Sequence, residues 1–347
     1  MDPQGGSLAQ SGGMNVKAVV CERLGPPESL VIADIDEPAP GPGEVLVHVA
    51  AAALNFFDTL IIEGKYQLRP DPPFSPGAEF AGTVKAVGEG VELFEPGDRV
   101  MGYVKWGAVR EAVIATEDDL VALPDEVGED DAAGLTVTYG TTLHAFRDRA
   151  RLQAGETVAV LGASGGVGLA AVEIAKAMGA RVIACASSAE KLELARGRGA
   201  DELVNYAEQD LKTRLKELTD GCGVDVVYDP VGGAYTEAAL RATGWRGRYL
   251  VIGFAAGEIP KLPLNLVLLK GCDVLGVFWG EAVVREPDEH RDSMAQLLVW
   301  IGEGRIRPHI HGVFPLDQTV SALRQLAERK VQGKVIIRPS GADVPQA

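Results

Sequence analysis

The most regular hydrophobic pattern of the chain begins at residue 157, where apolar and β-branched residues run into a cluster of glycines. Residues 157–168 read TVAVLGASGGVG. A strand that turns through glycines into a helix offers unpaired backbone N–H groups and a positive dipole end. Gly165, Gly166 and Gly168 fit a backbone that approaches a pyrophosphate, so a dinucleotide site is predicted. Ala163 replaces the first glycine of G-x-G-x-x-G, which leaves the bare motif moderately specific.

Strand and helix patterns alternate downstream of this turn, as a doubly wound sheet requires. The predicted strands are residues 181–186, 203–206, 224–229, 248–254 and 273–278. The predicted helices are residues 167–178, 189–198, 208–218 and 235–242. Together with the strand before the glycines, they predict a parallel sheet of about six strands.

The pattern before residue 123 is different, because short alternating strands are separated by Gly and Pro. These strands are predicted at residues 16–21, 44–49, 81–87, 98–102 and 110–115. They indicate a β-rich, barrel-like domain. After residue 279 the mixed pattern returns, with helices near 294–301 and 317–329 and a closing strand at 334–338. The chain is therefore expected to leave the first domain, build the nucleotide-binding fold and come back.

Composition narrows the function classes. The chain has 347 residues, of which 46% are hydrophobic and 24% charged, which is typical of a globular protein with two domains. Its net charge of −16 argues against nucleic acid or an anionic membrane as partner and leaves small molecules. Apolar runs are too short to span a membrane and a signal peptide is not apparent, so a cytoplasmic location is expected. Residues 1–13 and 341–347 are predicted to be a flexible extension and a flexible tail.

Cysteine and histidine spacing does not predict a metal site. The spacing of the four cysteines forms neither a zinc knuckle nor a disulfide framework, and each is expected to be a buried small hydrophobe: Cys21, Cys185, Cys222 and Cys272. His309 and His311 form an H-x-H pair that we interpret as a surface coincidence in a Pro-bearing loop.

The glycine turn has a second interpretation. Residues 162–166 also match G-x-S-x-G, the nucleophile elbow of α/β-hydrolases, with Ser164 as nucleophile. Asp229 and one of His290, His309 or His311 would be its partners. An elbow does not require a glycine at position 168, so we favour Ser164 as a small turn residue near phosphate.

These residues resemble the medium-chain dehydrogenase/reductase superfamily and, within it, the zinc-free NADPH:quinone oxidoreductase (zeta-crystallin-like) branch. The similarity covers about residues 14–339. The motifs that carry it are PGPGEVLVHVAAAALNFFD (40–58), SPGAEFAGTVKAVGEGVELFEPGDRV (75–100), TYGTTLHA (138–145), LGASGGVG (161–168), DVVYDPVGG (225–233) and GKVII (333–337). They are specific for the superfamily and far less so for substrate.

The resemblance implies an α/β fold with two domains. Residues 14–138 and 279–340 are expected to form a β-rich GroES-like barrel catalytic domain. Residues 139–278 are expected to form a Rossmann NADPH-binding domain with a doubly wound parallel sheet. A homodimer is also implied, with residues 273–278 as the edge strand that pairs across its interface.

The catalytic zinc ligands of related alcohol dehydrogenases are replaced here. Asn55 stands in place of the first Cys, Ala78 replaces the His, and residues 136–142 contain no Cys. We therefore expect no metal. Hydride exchange with a simple alcohol needs a Lewis acid, whereas a quinone or conjugated carbonyl spreads the developing charge onto oxygen, where a hydrogen-bond donor can suffice.

The end of the second strand predicts the cofactor. NAD enzymes usually have an acidic residue there, and this chain has Ala186. Ser187, Ser188 and Lys191 follow with hydroxyl donors and a cation suited to a 2′-phosphate. NADPH is therefore favoured over NADH. The resemblance adds Tyr206 to the same phosphate site, although it is also suited to covering a strand edge.

Further cofactor contacts follow from strand ends and from the resemblance. Alongside Ser164, Gly165, Gly166 and Val167 of the glycine turn, the predicted residues are Thr141, Gly253, Phe254, Ala255, Phe278, Trp279, Gly280 and Lys334. For two of these residues, a role without cofactor contact fits equally well. Phe278 is suited to aromatic core packing, and Lys334 to a solvated position on a surface strand.

Asn55 and Tyr66 are the candidate catalytic residues. Asn55 is expected to hydrogen-bond the substrate oxygen or the nicotinamide ribose, and Tyr66 to donate a hydrogen bond or a proton. Asp58 and Glu79 are interpreted as structural hydrogen-bonding carboxylates.

The predicted function is zinc-independent, NADPH-dependent reduction of quinones or α,β-unsaturated carbonyl compounds by hydride transfer. A haloacrylate-type or other enoyl reductase is an alternative. A haloacrylate-like acid would need a cationic side chain near the pocket, and Lys65 is the local candidate. A nucleotide-binding protein with a structural or regulatory role and no turnover is the alternative from another class.

Overall fold

The computed structural model describes residues 14–340, so the predicted extension and tail lie outside the described residues. The first seven strands are β1 (Asn15–Val20), β2 (Val31–Asp36), β3 (Glu44–Leu54), β4 (Glu79–Val87), β5 (Arg99–Tyr103), β6 (Ala112–Thr116) and β7 (Leu120–Ala122). The others are β8 (Thr157–Leu161), β9 (Arg181–Ala186), β10 (Glu202–Asn205), β11 (Val224–Asp229), β12 (Thr243–Val251), β13 (Asp273–Gly276), β14 (Ile310–Pro315) and β15 (Lys334–Arg338).

The helices lie between and after these strands. They are α1 (Phe56–Ile61), α2 (Glu129–Ala133), α3 (Thr136–Leu143), α4 (Gly166–Ala177), α5 (Ala189–Gly197), α6 (Leu211–Glu217), α7 (Tyr235–Ala242), α8 (Leu264–Lys270), α9 (Trp279–Arg285), α10 (Pro287–Gly302) and α11 (Thr319–Ala327). A π-helical segment, His144–Ala150, extends α3, and short 3₁₀ turns occupy Pro27–Ser29, Glu117–Asp119 and Leu316–Gln318.

A six-stranded parallel sheet forms the nucleotide-binding half, in the order β10-β9-β8-β11-β12-β13. Strand β8 is buried over four of its five residues, which explains its continuous apolar run, because both faces of a parallel sheet are covered. This sheet confirms the prediction of a doubly wound fold. Several predicted strand bounds were wrong. Strand β3 extends to Leu54, and β12 begins at Thr243. Strand β12 ends at Val251 and β13 ends at Gly276, so Phe254 and Phe278 follow the strands.

A seven-stranded sheet organises the other half, in the order β14-β15-β3-β4-β5-β7, with β6 also paired to β3. The long strand β3 lies at its centre and pairs antiparallel with β4, β6 and β15. Pairing of β15 with β3 brings the last described strand back to the first half of the chain. His311 lies in strand β14, so the loop predicted for the H-x-H pair was wrong. The sequence pattern did not predict this strand because Gly312 and Pro315, which are typical of turns, lie within it.

The glycine turn meets the start of β15 where the two halves touch. Gly165 and Gly333 form a parallel β-bridge, and the Gly333 amide donates to the Ser164 carbonyl over 3.0 Å. A side chain on Gly333 would collide with the His309 carbonyl oxygen, 2.1 Å from its ideal Cβ. The glycine turn is therefore positioned by both halves. Among residues 14–340, no helix has both the length and the apolar character needed to cross a membrane.

Candidate active site

The glycines of the predicted phosphate-binding turn have different structural tasks. An ideal Cβ on Gly168 would lie 2.1 Å from the Gly162 carbonyl oxygen, so this position allows α4 to pack against the turn. Gly166 is confined by Thr138 and the start of β15. Gly165, in contrast, caps α4 and its Cβ would meet nothing closer than 3.6 Å. Open space before the N-terminus of a twelve-residue helix suits a diphosphate.

A polar corner lies at the end of β9. Ala186 is buried there, and the Tyr206 amide donates to its carbonyl oxygen over 3.1 Å. The Ser188 side chain caps α5, and the Lys191 ammonium lies 3.4 Å from the Ser187 hydroxyl. The structure thus brings together the residues predicted for a 2′-phosphate. It places no carboxylate at the position of Ala186.

The positive charge of Arg329 acts on Tyr206, a contribution that sequence reasoning missed. Its ring packs on that of Tyr235, with centroids 4.2 Å apart. Burial raises the pKa of Tyr206 to about 12, and the positive charge of Arg329 opposes that rise. Arg329 follows α11 at a φ of 58°, far from β9 in sequence, so residue spacing did not point to it.

Side chains from three segments far apart in the sequence form a buried cluster beside the glycine turn. The Lys334 ammonium donates to the Asn55 Oδ1 and to the Glu79 Oε1, each over 2.6 Å. The Asn55 Nδ2 donates to the same Glu79 oxygen over 2.9 Å. The backbone amide of Val137 donates to the other Glu79 oxygen over 2.6 Å. The side chain of Lys334 is 3% exposed and that of Glu79 is 0% exposed, so the solvated alternative for Lys334 was wrong.

Asp58 fixes the backbone on either side of this cluster. Its carboxylate accepts the Asn55 amide over 2.7 Å and the Gly77 amide over 3.0 Å, and so fixes the start of α1 against the loop that leads into β4. Burial raises the pKa of Asp58 to about 7, against the lowering effect of these two amides. The geometry agrees with the structural role predicted for this carboxylate.

The place of the family's zinc-binding His is apolar. Ala78 is fully buried and packs with Tyr103, Val137 and Trp279. Among residues 14–340, no group of three or more His, Cys, Asp or Glu side chains is arranged to hold a metal ion.

Aromatic side chains line one side of the same region. Trp279 packs edge-to-face on Tyr103, with centroids 4.9 Å apart, and Tyr66 stacks on Phe57 at 5.4 Å. Phe278 is 53% exposed, so core packing was the wrong alternative for this ring within the chain. Sequence reasoning missed Tyr103, because a lone Tyr at a strand end has no distinguishing spacing.

The remaining predicted nicotinamide contacts lie around the carboxyl ends of the parallel strands. Gly253, Phe254 and Ala255 follow β12 and are half-buried. The Gly253 amide donates a hydrogen bond to the Asp229 carbonyl, and the Ala255 amide donates one to the Pro230 carbonyl. Thr141 is half-buried on α3, and its neighbour Gly140 contacts Trp279. Their contact with a cofactor stays a prediction.

Comparisons with known proteins agree with this architecture. A family model for an alcohol dehydrogenase GroES-like domain matches residues 41–125, and one for a zinc-binding dehydrogenase matches residues 166–300. Quinone oxidoreductase-like protein 2 of Rattus norvegicus is 40% identical, over 92% of this chain and 91% of its own length. The chain belongs to the medium-chain dehydrogenase/reductase superfamily, in its quinone oxidoreductase branch.

Solved structures of this superfamily share the fold throughout. Escherichia coli quinone oxidoreductase complexed with NADPH is 30% identical, with a TM-score of 0.86 and coverage of 94% of this chain and 99% of that one. An NAD-dependent alcohol dehydrogenase is 32% identical, with a TM-score of 0.85 and coverage of 93% and 99%. These relatives confirm the predicted α/β fold with its Rossmann sheet and GroES-like domain.

The geometry disfavours the hydrolase interpretation that the same turn allows. The Asp229 carboxylate accepts hydrogen bonds from the amides of Val231 and Gly232 and from the Thr236 hydroxyl. It therefore stabilises the turn that follows β11. The three candidate histidines are engaged elsewhere: His309 with Arg198, His311 with the Gln332 amide and His290 with the Trp279 ring.

Proposed function

We propose that this protein is a zinc-independent, NADPH-dependent reductase of quinones or α,β-unsaturated carbonyl compounds. One observation carries the proposal: where related dehydrogenases hold a metal, this chain has buried Ala78 beside the Asn55–Glu79–Lys334 cluster. The N–H groups of this set stabilise negative charge on oxygen. Its one usual zinc ligand, the Glu79 carboxylate, already accepts hydrogen bonds from Asn55, Lys334 and the Val137 amide.

The residues of the Rossmann half fit NADPH. The open backbone at Gly165, with Ser164, Gly166 and Val167, would hold the diphosphate, and Ser187, Ser188, Lys191 and Tyr206 the 2′-phosphate. Thr141, the segment after β12 and residues 278–280 would border the nicotinamide. Bound NADPH supplies a hydride. The NADPH complex of the E. coli relative supports this choice, and Ala186 removes the carboxylate that repels a 2′-phosphate.

Asn55 is suited to orient the acceptor. Its Oδ1 accepts from Lys334 and its Nδ2 donates to Glu79, so both ends of the amide are fixed and one N–H is left to donate to a substrate oxygen. Lys334 likewise uses two of its three N–H donors within the cluster. These pre-positioned N–H donors favour an acceptor whose oxygen becomes negative when hydride arrives at carbon.

A quinone or enone is favoured over an acidic substrate. Lys65, the cation proposed for a substrate carboxylate, forms an ion pair with Glu63 and is largely exposed. The Lys334 charge is already matched by Glu79. A haloacrylate-type acid would therefore meet no spare cation among these two lysines.

We also propose a cytoplasmic homodimer. Strand β13 is the edge of the parallel sheet and Val274 on it is exposed. Beside it, α8 exposes large apolar side chains, with Leu264, Leu268 and Leu269 all more than 70% exposed. A sheet edge flanked by exposed leucines is favourable for pairing with a second copy.

A turnover assay tests the proposal against a binding-only role. NADPH oxidation is followed at fixed enzyme with 1,4-naphthoquinone, 2-cyclohexen-1-one or ethanal, and then with NADH. We expect turnover with the quinone or the enone, little with ethanal, and a preference for NADPH. Tight NADPH binding without oxidation by either activated acceptor would support the structural or regulatory alternative instead.

A further inference from the structure

Tyr103 occupies a position that the proposed function does not use. It ends strand β5 and pairs directly with Glu79 across the antiparallel β4–β5 ladder. Residues that face each other in such a pair project their side chains from the same face of the sheet. Tyr103 therefore leaves the sheet beside the Asn55–Glu79–Lys334 cluster and packs against Ala78 at the former metal position.

The Tyr103 ring is fixed and its hydroxyl is unpartnered. The side chain is 6% exposed and its ring lies edge-to-face on Trp279. Within residues 14–340 the hydroxyl forms no hydrogen bond, and it is not one of the four unpartnered polar atoms that are sealed from solvent. A buried phenol whose donor is unused but reachable is unusual, because Tyr hydroxyls in such places usually find a partner.

Gly280 leaves the space into which this hydroxyl extends. An ideal Cβ on Gly280 would lie 3.1 Å from the Tyr103 oxygen, and this is the only neighbour it would meet within 4 Å. Gly280 belongs to the stretch proposed to border the nicotinamide. In the proposed function, the hydroxyl would therefore lie next to the nicotinamide.

From this geometry we propose that Tyr103 is a catalytic residue that donates a hydrogen bond to the acceptor oxygen on which negative charge develops. The proposal rests on the reductase function above and adds the donor that takes the place of a Lewis acid. Burial, together with the negative charge of Glu79 and Asp58, raises the pKa of Tyr103 and keeps its hydroxyl protonated.

The electron balance does not require Tyr103 to change its protonation state. Hydride from NADPH brings two electrons and one hydrogen to the quinone or enone, and the substrate oxygen becomes an anion. Tyr103 stabilises that anion through its O–H donor. A proton from water then completes the hydroquinone or the saturated ketone, and NADP⁺ is released.

The first test is Tyr103→Phe, which keeps the ring on Trp279 and removes only the donor. Loss of one oxyanion donor typically lowers kcat by about 10²-fold. We expect a fall of that order with NADPH affinity and KM little changed, since the bond is made chiefly in the transition state. Tyr228→Phe is the control, because that buried hydroxyl bonds to Thr142 in the Rossmann half. A fall of less than about threefold in Tyr103→Phe contradicts the proposal.

A double-mutant cycle with Gly280→Ala sharpens the test. The added methyl group would displace the Tyr103 hydroxyl, so Gly280→Ala alone should lower kcat in the native background. In the Tyr103→Phe background, where that hydroxyl is absent, the same change should have little further effect. Additive losses would show that Gly280 acts independently of Tyr103 and would count against the proposal.

A binding measurement separates failure of this inference from failure of the reductase function. 4-Nitrophenol, whose phenolate absorbs visible light, is titrated in the complex with NADP⁺. The native protein should lower its apparent pKa, and Tyr103→Phe should weaken phenolate binding by about tenfold, even if no acceptor is turned over. Equal phenolate affinity in the two proteins would overturn the inference about Tyr103. If the native protein binds phenolate more tightly than Tyr103→Phe but turns over no acceptor, only the proposed reductase function is overturned.

Discussion

The glycine turn and the Asn55–Glu79–Lys334 cluster lie side by side but are built in opposite ways. The turn is one continuous segment, and its shape depends on backbone and on glycines that leave space. The cluster joins side chains separated by 24, 255 and 279 positions in the chain. The first binds through local geometry that a motif encodes, and the second exists only once β3, β4 and β15 have paired.

This difference separates binding from chemistry. Backbone N–H groups and a helix dipole suit the phosphates shared by many cofactors. Side chains held by long-range pairing are what can differ between relatives of one fold, and in the proposed function they supply hydrogen-bond donors in place of a metal. Mutations in the two regions should therefore affect different observables.

Lys334→Met should have the largest effect. It leaves the fully buried Glu79 without its cation, and removing one partner of a buried pair costs about 3–5 kcal/mol. We expect a large drop in the urea midpoint and loss of reductase activity. Lys334→Met combined with Glu79→Gln should recover part of the stability, because the uncompensated charge is gone. An unchanged urea midpoint in Lys334→Met would show that the Lys334–Glu79 pair does not contribute to stability.

Gly168→Ala and Gly165→Ala test the two tasks of the turn. The Gly168 methyl group would collide with the Gly162 carbonyl, so overpacking should cost about 1–3 kcal/mol of stability and also weaken cofactor binding. The Gly165 methyl group has room, so that variant should fold like the native protein and lose only NADPH affinity. Thermal unfolding with and without NADPH distinguishes the two. Equal destabilisation of both variants would refute the assignment.

Lys191→Ala should act on one cofactor only. Loss of a charge-assisted contact to the 2′-phosphate is expected to weaken NADPH binding by about tenfold and to leave NADH affinity unchanged. Fluorescence titration with both cofactors measures this. Arg329→Ala, beside Tyr206, is a second variant of the same corner, and a parallel loss of NADH affinity in either one would argue for a general structural defect.

Asp58 should give a pH-dependent signal in stability. Its pKa rises from the ordinary value of 3.8 to about 7, so the folded state binds a proton more tightly than the unfolded chain. The associated stabilisation is present below about pH 4 and is lost as the pH rises through about 7. Asp58→Asn should flatten this part of the unfolding curve, although its amide can accept only one of the two backbone bonds. An equally steep slope in the variant would contradict the shift.

Much of the fold followed from the sequence because its signals are local. Strands β9, β11 and β15 and helix α7 have the predicted bounds, since apolar runs end there at glycines or polar turns. Strand β2 and helices α8 and α9 were missed, because exposed or short elements carry weak periodicity.

The site was only partly predictable. Ser187, Ser188 and Lys191 were grouped because they directly follow the second strand of the sheet, and the family resemblance added Tyr206. The pairing of Lys334 with Glu79, the approach of Arg329 and the position of Tyr103 depend on strand register, which spacing along the chain does not reveal.

The most direct test of a metal-free reductase is activity after exhaustive chelation. The purified protein is treated with EDTA and dipicolinate, its metal content is measured by mass spectrometry, and NADPH oxidation by 1,4-naphthoquinone is then compared with that of untreated protein. The account predicts full activity at substoichiometric metal. Loss of activity on chelation that is restored by added Zn²⁺ would contradict it.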